Sequence, residues 1–524
     1  MIRKILCFFC LLGPAVATAD FLNGGRAAAA PITPADINAV EVLRDVIEVR
    51  ALWVDAARPN AEAEAALELL RSAAAHGLNP DRYMPKVLGS LYLQLVGGDL
   101  TAADRFESTL SIALLRLIGD LRPVEFENLD AVQAAQARAS LLGDAMAHGG
   151  IAALQARLLP GHEQYHALSE TLAKLLRQPA GQRPLIGAGA TLELGSAGPR
   201  VAALRARLLP LPAADAARTW SAGPAASADV LATFDTGLES AVRDYQTLHG
   251  LEVDGKVGRL TRAHLDVGLD QVIAKLRLNL ARWRALPIDL GSDYVHVNIP
   301  EYRLRLAVNG NESLSMRVVV GSTRHPTPEF SDQIEYLVFN PYWNVPYSIW
   351  SREILPKLVE DTSYLAANNY ELIGPDGVVS AQDVGIARLL DRTGDYRVRQ
   401  RPGPDNALGE VKFIFPNEHN VYLHDSPSRH LYALSGRAFS HGCIRVESPD
   451  KLAAALLQQS ADWQEQDVTA AMASSRRKRV SFAAPIPVYL TYITATVTQE
   501  GRLSLPLDVY GRDLAAMNAG EYSM

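Results

Sequence analysis

The sequence predicts a multidomain protein in which an all-α N-terminal scaffold and a small α-helical module precede a mainly-β domain with a helical insertion. Its 524 residues exceed what one hydrophobic core usually serves. Apolar residues follow a helical period in the first half and alternate in period two from Asp293 onward. With 48% hydrophobic and 21% charged residues, the composition is that of folded globular domains.

Residues 1–19 are predicted to be a signal peptide. Arg3 and Lys4 precede an apolar run that ends at Leu12, and Ala17-Thr18-Ala19 is typical of a cleavage site. An uncleaved membrane anchor is the alternative, although the apolar stretch from Ile5 to Ala19 is shorter than the roughly 20 residues of a spanning helix and Gly13-Pro14 breaks it. We therefore expect export and a periplasmic location.

The net charge and the cysteine content limit the kinds of function that we expect of this protein. The formal net charge is −7, and cleavage would remove two further positive charges, so we expect no nucleic-acid partner. Of the three cysteines, Cys7 and Cys10 lie in the predicted signal peptide, so the mature chain retains Cys443. In an oxidising compartment, a thiol without an intramolecular partner is either buried and inert or used in chemistry.

Residues 30–180 are rich in Ala and Leu with helical periodicity and predict a helical scaffold domain. Asn60 is the predicted N-cap of a helix that carries Leu67 and Leu70 on one face and stops at Gly77. We find no His, Asp, Glu or Cys cluster at catalytic spacing in this region of the sequence, and we assign it no chemistry.

Residues 190–268 predict a compact module of two short helices with glycine-bearing turns, one containing Val201 and one ending at Gly250. The patterns LGSxGxxV, AVxxYQxxxGL and VDGxVGxxT resemble the peptidoglycan-binding domain type 1. This resemblance implies binding to the cell wall, and a helical spacer without a ligand is the alternative. An Ala- and Pro-rich insert at 211–229 is expected to lengthen one loop.

A connecting helix within 269–290 is predicted to return to the scaffold before the β-rich domain of residues 292–500 begins. There, residues 302–308 alternate in polarity and Asn309-Gly310 predicts a hairpin turn. Further strands are predicted at 334–339, 411–415, 420–424 and 488–498. Residues 347–406 predict a helical and loop-like insertion that forms a lid, and residues 501–524 a C-terminal tail.

Two segments carry the candidate chemistry: Tyr422-Leu423-His424-Asp425 and Ser440-His441-Gly442-Cys443-Ile444-Arg445. A thiol with a pKa of about 8.5 is mostly protonated at neutral pH, so a nucleophilic cysteine needs a nearby imidazole and a positive setting. His424, His441 and Arg445 supply both. Gly442 lets the backbone approach a substrate carbonyl, so the amides of Gly442 and Cys443 are candidate oxyanion donors.

Several assignments stay open at this level. Tyr422 and His424 share one face of a strand, which suits a contact from the Tyr422 hydroxyl to the substrate, whereas His441 competes for the role of base. Two histidines and a cysteine also suit a metal, but no CxxC or HExxH accompanies them, and we expect neither metal nor cofactor. Arg445 either serves the thiolate and a substrate carboxylate or pairs with Glu447 or Asp450.

The aromatic pair Tyr342 and Trp343 is open as well. Both residues lie in the segment Asn340-Pro341-Tyr342-Trp343-Asn344-Val345-Pro346. They are either core aromatics or a wall of the substrate cleft.

These segments resemble the L,D-transpeptidase family of the YkuD type, whose signature is a His, a gap, and Ser/Thr-His-Gly-Cys followed by Arg or Asn. His424 precedes Cys443 by nineteen positions, within the range of that family. The motifs of its large periplasmic subgroup extend over the mature chain: Asn298-Ile299-Pro300, Thr327-Pro328, the 340–346 segment and residues 402–409. The resemblance implies Cys443 as nucleophile, His424 as base, the Asp425 carbonyl as the group that orients the imidazole, and Ser440 and His441 in support.

The resemblance also implies a two-step acyl transfer. The thiol attacks a tetrapeptide stem and releases D-alanine, and the diamino acid of a neighbouring stem resolves the thioester into a 3→3 cross-link. Cell-wall synthases are the expected protein partners, and the enzyme would lie at the periphery of the wall. An L,D-carboxypeptidase, a lipoprotein-anchoring transpeptidase and a non-catalytic wall-binding scaffold remain the alternatives.

Overall fold

The computed structural model describes residues 31–47, 51–56, 58–178, 183–208, 232–391, 393–458 and 463–519. The predicted signal peptide and the insert at 211–229 lie outside these residues. Within them, no helix has the length and apolar character required to cross a membrane.

The N-terminal region is helical, as predicted. Its helices are Pro34–Ile47, Ala61–Ser72, Pro85–Val96, Ala103–Leu121, Pro123–Phe126, Ala131–Ala147, Gly150–Leu158 and Glu163–Leu176, beside the short strands β1 (Val54–Asp55) and β2 (Arg58–Pro59). The Asn60 side chain accepts a hydrogen bond from the Ala63 amide, which confirms the predicted N-cap. The helix ends at Ser72 rather than Gly77, because residues 73–77 wind into tighter turns.

The described residues of the small module form three helices, Pro199–Leu208, Thr236–Leu248 and Arg259–Leu265. Val201, Leu238 and Val242 lie in its own hydrophobic core, as their helical spacing predicts. The third helix was missed, because its seven residues are too few to establish a period.

The connecting helix, Leu269–Arg284, joins the scaffold to the β-rich domain. Leu276 and Leu280 are buried in the scaffold core. On another face, Asn279 exchanges hydrogen bonds with Thr494 at 2.7 and 3.0 Å. This helix therefore links the two regions through buried contacts.

In the described residues, the β-rich domain is built on a nine-stranded sheet. Its strands are β3 (Tyr294–Asn298), β4 (Arg303–Val308), β5 (Asn311–Gly321), β6 (Phe330–Phe339), β11 (Val411–Ile414), β12 (Leu423–His424), β13 (Ala438–Ser440), β14 (Ile444–Val446) and β15 (Lys478–Thr491). Their order in the sheet is β13-β5-β14-β12-β11-β6-β15-β3-β4. Because β4 also pairs with β5, the sheet closes on itself. Asn309 and Gly310 have φ of 51° and 76°, as the predicted two-residue hairpin requires.

Alternating residues of these strands fill the domain core. Phe413, Leu423 and Ile444 are fully buried there. The helices Pro449–Gln458 and Glu465–Ala473 contribute to the same core through residues such as Leu452 and Val468. Since side chains alternate along a strand, the neighbours of these residues point to the opposite face.

The insertion between β6 and β11 has helices, as predicted, and also a sheet that the sequence analysis missed. The strands are β7 (Trp343–Asn344), β8 (Tyr370–Gly374), β9 (Gly377–Val379) and β10 (Arg397–Gln400), in the order β7-β10-β8-β9. The helical segments are Tyr347–Ile349, Trp350–Ile354, Leu355–Glu360, Tyr364–Ala367, Ala381–Val384 and Ile386–Asp391. They share a separate core that contains Trp350 and Leu358.

The C-terminal segment packs back onto the protein. It comprises β16 (Thr496–Val497), β17 (Leu503–Ser504) and the helix Arg512–Asn518. Asp513 of this helix accepts a hydrogen bond from Arg282 of the connecting helix at 2.6 Å. The described part of the predicted tail is thus folded.

Candidate active site

Three adjacent strands bring the candidate residues together. β11 runs antiparallel to β12, with Lys412 opposite His424, and β12 runs parallel to β14, with His424 beside Arg445. Register partners point to the same face of a sheet, so these three side chains form one row. Tyr422 and Cys443 belong to the next row on that face, because each lies two residues before a member of the first row.

His424 is buried, with 4% of its surface exposed. Its Nδ1 lies 2.5 Å from the backbone carbonyl oxygen of Asp425. A carbonyl only accepts, so Nδ1 carries the hydrogen and Nε2 keeps a free lone pair. Burial, assisted by the positive charges of Arg445 and Lys412, lowers the pKa of His424 to about 3. The imidazole is therefore neutral at physiological pH and ready to accept a proton on Nε2.

Asp425 is fixed by its own side chain. Its carboxylate accepts hydrogen bonds from the Glu410 amide at 2.9 Å, the Ser426 amide at 2.6 Å and Arg429 at 2.6 Å. The carbonyl that holds His424 thus belongs to a residue anchored on three sides. Gly409 lies against this carboxylate, since a Cβ there would come within 2.3 Å of the Asp425 Cγ.

Cys443 is half-buried and reduced, and its Sγ lies 3.7 Å from the carbonyl oxygen of Asn420. Burial raises the pKa of the thiol, whereas hydrogen bonds from the backbone and side chain of Tyr422 and the charges of Arg445 and Lys412 oppose that rise. The expected positive charges lie near the thiol, but the net effect of its surroundings is to raise the pKa of Cys443. The resting pair is therefore a neutral thiol and a neutral imidazole.

Tyr422 is a neighbour of both the thiol and the imidazole. Its ring centroid is 5.7 Å from that of His424, so the two side chains share a face as predicted. Among the described residues, no direct hydrogen bond joins His424 to Cys443. Diagonal neighbours on a sheet are about 7–8 Å apart at their Cα atoms, within reach of an imidazole and a thiol.

The turn that precedes Cys443 is held from two sides. Ser440 Oγ donates to the Cys443 carbonyl at 2.5 Å and accepts from the Gly442 amide at 3.1 Å. Thr327 Oγ1 donates to the Gly442 carbonyl at 2.8 Å, and Gly442 has a φ of 114°. This corrects one expectation: the Gly442 amide is bound to Ser440 and is not free for an oxyanion. The Cys443 amide has no acceptor among the described residues.

His441 contacts the insertion through Glu353. Its Nε2 lies 2.8 Å from the Glu353 carboxylate, and its ring packs against His325 at a centroid distance of 4.7 Å. The structure thus separates the two histidines that spacing alone left in competition.

In the described residues no group of three or more His, Cys, Asp and Glu side chains is arranged to hold a metal.

Arg445 is half-buried, and its Nε is buried without a hydrogen-bond partner. Neither expected carboxylate pairs with it: Glu447 binds Arg317, and Asp450 forms no ion pair among the described residues. A guanidinium without a counter-ion beside a thiol suits a negatively charged ligand.

Tyr342 and Trp343 lie at the base of the insertion. The Arg399 guanidinium covers the Tyr342 ring at 4.6 Å. The Trp343 ring packs near Tyr370 at 6.3 Å and borders the core of the insertion. Trp343 therefore takes part in the packing of the insertion, the first of its two expected roles.

Two residues of the site escaped the sequence analysis. Lys412 lies beside His424 only because β11 pairs with β12, and Glu353 reaches His441 only because the insertion folds over the 440–443 turn. The one signal available was Lys412 itself, a charged residue among the apolar residues of the predicted strand 411–415.

Three family models match parts of the chain. Residues 292–464 match the family model of the YkuD L,D-transpeptidase catalytic domain, and residues 47–172 match a scaffold domain. Residues 220–265 match a family described as "Putative peptidoglycan binding domain".

A curated relative from Haemophilus influenzae, named "Putative L,D-transpeptidase", is 36% identical over 242 residues, which are 46% of this chain and 48% of the relative. The chain thus matches about half the length of this relative.

Among solved structures, an L,D-transpeptidase from Mycobacterium smegmatis overlaps 38% of this chain and 58% of its own, at 12% identity and a TM-score of 0.19. An L,D-transpeptidase from Xylanimonas cellulosilytica overlaps 60% of this chain and 100% of its own, at 16% identity and a TM-score of 0.17. The family models and the curated relative confirm the resemblance seen in the sequence: the chain carries a catalytic domain of the YkuD L,D-transpeptidase family together with a scaffold domain and a peptidoglycan-binding domain.

Proposed function

We propose that this protein is a peptidoglycan L,D-transpeptidase that forms 3→3 cross-links through a thioester on Cys443. The observation that carries the proposal is the tautomer of His424. Its Nδ1 hydrogen is committed to the Asp425 carbonyl, so a neutral Nε2 remains to accept a proton on the face that also bears Cys443.

In the first step, Cys443 Sγ attacks the carbonyl of the peptide bond before the terminal D-alanine of a tetrapeptide stem. His424 Nε2 takes the thiol proton as the carbon–sulfur bond forms, which is general-base catalysis rather than attack by a preformed thiolate. The Cys443 amide and the Tyr422 hydroxyl are the donors available to the oxyanion. His424 then returns the proton to the amine of D-alanine as the peptide bond breaks.

In the second step, the side-chain amine of a diamino acid on a neighbouring stem attacks the thioester. His424 removes a proton from this amine, the new amide bond forms, and the sulfur leaves and is reprotonated by His424. Atoms and protons balance over the two steps, with His424 as the carrier of the proton in each. Water in place of the amine would give a carboxypeptidase with the same residues.

The insertion, residues 347–406, acts as a lid in this proposal. The contact between its Glu353 and His441 lies two residues from the thiol along the chain. A lid held at this point shields the thioester from water and so favours the amine as acceptor.

The module at 190–268 places the enzyme on the wall, with the scaffold at 30–180 and the connecting helix at 269–290 holding it beside the catalytic domain. We further propose export by the predicted signal peptide, residence in the periplasm and cooperation with cell-wall synthases. Peptidoglycan-binding and catalytic domains in one chain support a substrate in the cell wall.

Incubation of the purified protein with tetrapeptide muropeptides tests the proposal. Cross-linked dimers and free D-alanine are expected, and Cys443→Ala should produce neither. Tripeptides without dimers would identify an L,D-carboxypeptidase. Unchanged muropeptides, together with a Cys443 that resists alkylation, would identify a non-catalytic scaffold.

A further inference from the structure

Lys412 is a cation beside the active site without a negatively charged partner. It is half-buried on β11, and its Nζ lies 5.5 Å from the centre of the Tyr422 ring. Among the described residues it forms no ion pair and no side-chain hydrogen bond. Burying an ammonium group without a counter-ion is unfavourable, so a lysine retained in this position needs an explanation.

The register places Lys412 and Arg445 on either side of His424. All three side chains lie on one face, in one row across β11, β12 and β14. Both cations act on the same two groups, because their charges lower the pKa of His424 and oppose the rise in the pKa of Cys443. The thiol therefore shares its face of the sheet with two positive charges, those of Lys412 and Arg445, that have no negatively charged partner among the described residues.

The positive character continues outward from Lys412. The exposed run Arg476-Arg477-Lys478-Arg479 leads into β15 beside β6, and the charge of Arg477 acts on Lys412 and lowers its pKa, after burial as the main cause. None of the four forms an ion pair among the described residues; Lys478 and Arg479 lie over the rings of Trp463 and Tyr336 instead. An approaching anion would thus be attracted along this edge towards Lys412.

We propose that Lys412 binds a carboxylate of the donor peptide and so selects an acidic stem over its amidated counterpart. This inference rests on the proposed function, since the donor is the peptide that acylates Cys443. Arg445 is the second cation of the row, and one carboxylate between the two would neutralise a face that is uncompensated in the free protein. Bound there, the peptide would lie across His424 with its scissile carbonyl near the thiol.

A simpler role is that Lys412 only stabilises the thiolate. That role predicts equal effects on every donor, because it does not involve the peptide. Carboxylate binding predicts an effect on one donor and not on its amide. Paired donors therefore separate the two roles.

The test measures the rate at which Cys443 of the full chain is acylated, by intact mass, with tetrapeptides in which one carboxylate at a time is replaced by a carboxamide. Wild type should prefer one carboxylate form over its amide by about 10- to 100-fold, the range of a charge-assisted hydrogen bond. Lys412→Met should lose this preference and still react with the amide donor, and Lys412→Arg should keep part of it. Lys451→Met, at an exposed lysine of the helix Pro449–Gln458 and outside this run, is the matched control and should behave as wild type.

Equal reaction of wild type with every paired donor would overturn the inference without reliance on any variant. The inference also fails if Lys412→Met slows all donors equally or leaves the preference intact. Absence of any acyl adduct on wild type would instead refute the proposed function, and the Lys412 site with it. The two failures are therefore distinguishable.

Discussion

His424 donates its Nδ1 hydrogen to the backbone carbonyl of Asp425 across 2.5 Å, and Asp425 is itself held by the amides of Glu410 and Ser426 and by Arg429. This arrangement fixes the tautomer of the imidazole, because Nδ1 must carry the hydrogen that the carbonyl accepts. The orientation of the base therefore depends on the residues that hold Asp425 as well as on His424 itself.

The first prediction concerns the two histidines. His424→Ala should abolish turnover, because the other two side chains of its row, Lys412 and Arg445, are cations and cannot accept the thiol proton. His441→Ala should only weaken it, since His441 contacts Glu353 and His325 instead of the thiol. Dimer formation from tetrapeptide muropeptides provides the measurement, and complete loss in both variants would refute the assignment.

A second prediction concerns Gly409, which has a φ of 59°. Gly409→Ala brings a Cβ within 2.3 Å of the Asp425 Cγ and should displace the carbonyl that orients His424. We expect a loss of about 1–3 kcal/mol of stability and a fall in activity of about 100-fold. Thermal unfolding and acylation rates measure the two effects.

Gly501→Ala is the matched control for this substitution. It has a similar φ of 77° but open space around the added Cβ, so it isolates the backbone strain. If Gly501→Ala and Gly409→Ala lower activity alike, the contact with Asp425 is not responsible.

The third prediction is the pH dependence of the thiol. Burial raises the pKa of Cys443, so the thiolate fraction should be low at neutral pH and should increase above the ordinary thiol pKa of about 8.5. Alkylation by a small uncharged reagent should therefore accelerate with pH through about pH 9. Arg445→Gln should move the profile further upward, because the charge of Arg445 opposes the rise. A rate plateau below neutral pH would indicate a preformed thiolate–imidazolium pair instead.

The fourth prediction concerns the lid. Glu353→Gln removes the charge that binds His441 and should loosen the lid over the thioester, which raises tripeptide relative to dimer. Glu360→Gln, an exposed glutamate of the same insertion without an ion pair among the described residues, should leave the ratio unchanged. An identical product ratio in Glu353→Gln and wild type would show that this contact does not hold the lid.

Local signals predicted much of the fold. The Asn60 cap, the Asn309-Gly310 hairpin and the two helical stripes that contain Val201 and Leu238 depend on residues close in sequence, and the structure confirms them. The sheet within the insertion was missed because its strands have two to five residues each, too few to display an alternating pattern. Its pairings, β10 with β7 and with β8, are set by tertiary contacts.

The active-site residues also fall into two groups: those that local sequence identifies and those that only tertiary contacts bring to the site. Tyr422, His424 and Cys443 belong to short sequence motifs, so the sequence analysis identified them. Lys412 enters through pairing of β11 with β12, which no local pattern encodes. The engagement of the Gly442 amide depends on the rotamer of Ser440, which only the folded turn determines.

The central claim is that Cys443 forms a thioester with a peptide stem while His424 takes its proton. Intact-mass measurement of the full chain after mixing with a tetrapeptide muropeptide tests it most directly. We predict an added mass equal to the donor minus D-alanine, mapped to Cys443 and missing in Cys443→Ala. A wild-type protein that stays at its own mass while its thiol remains free to alkylate would contradict the account.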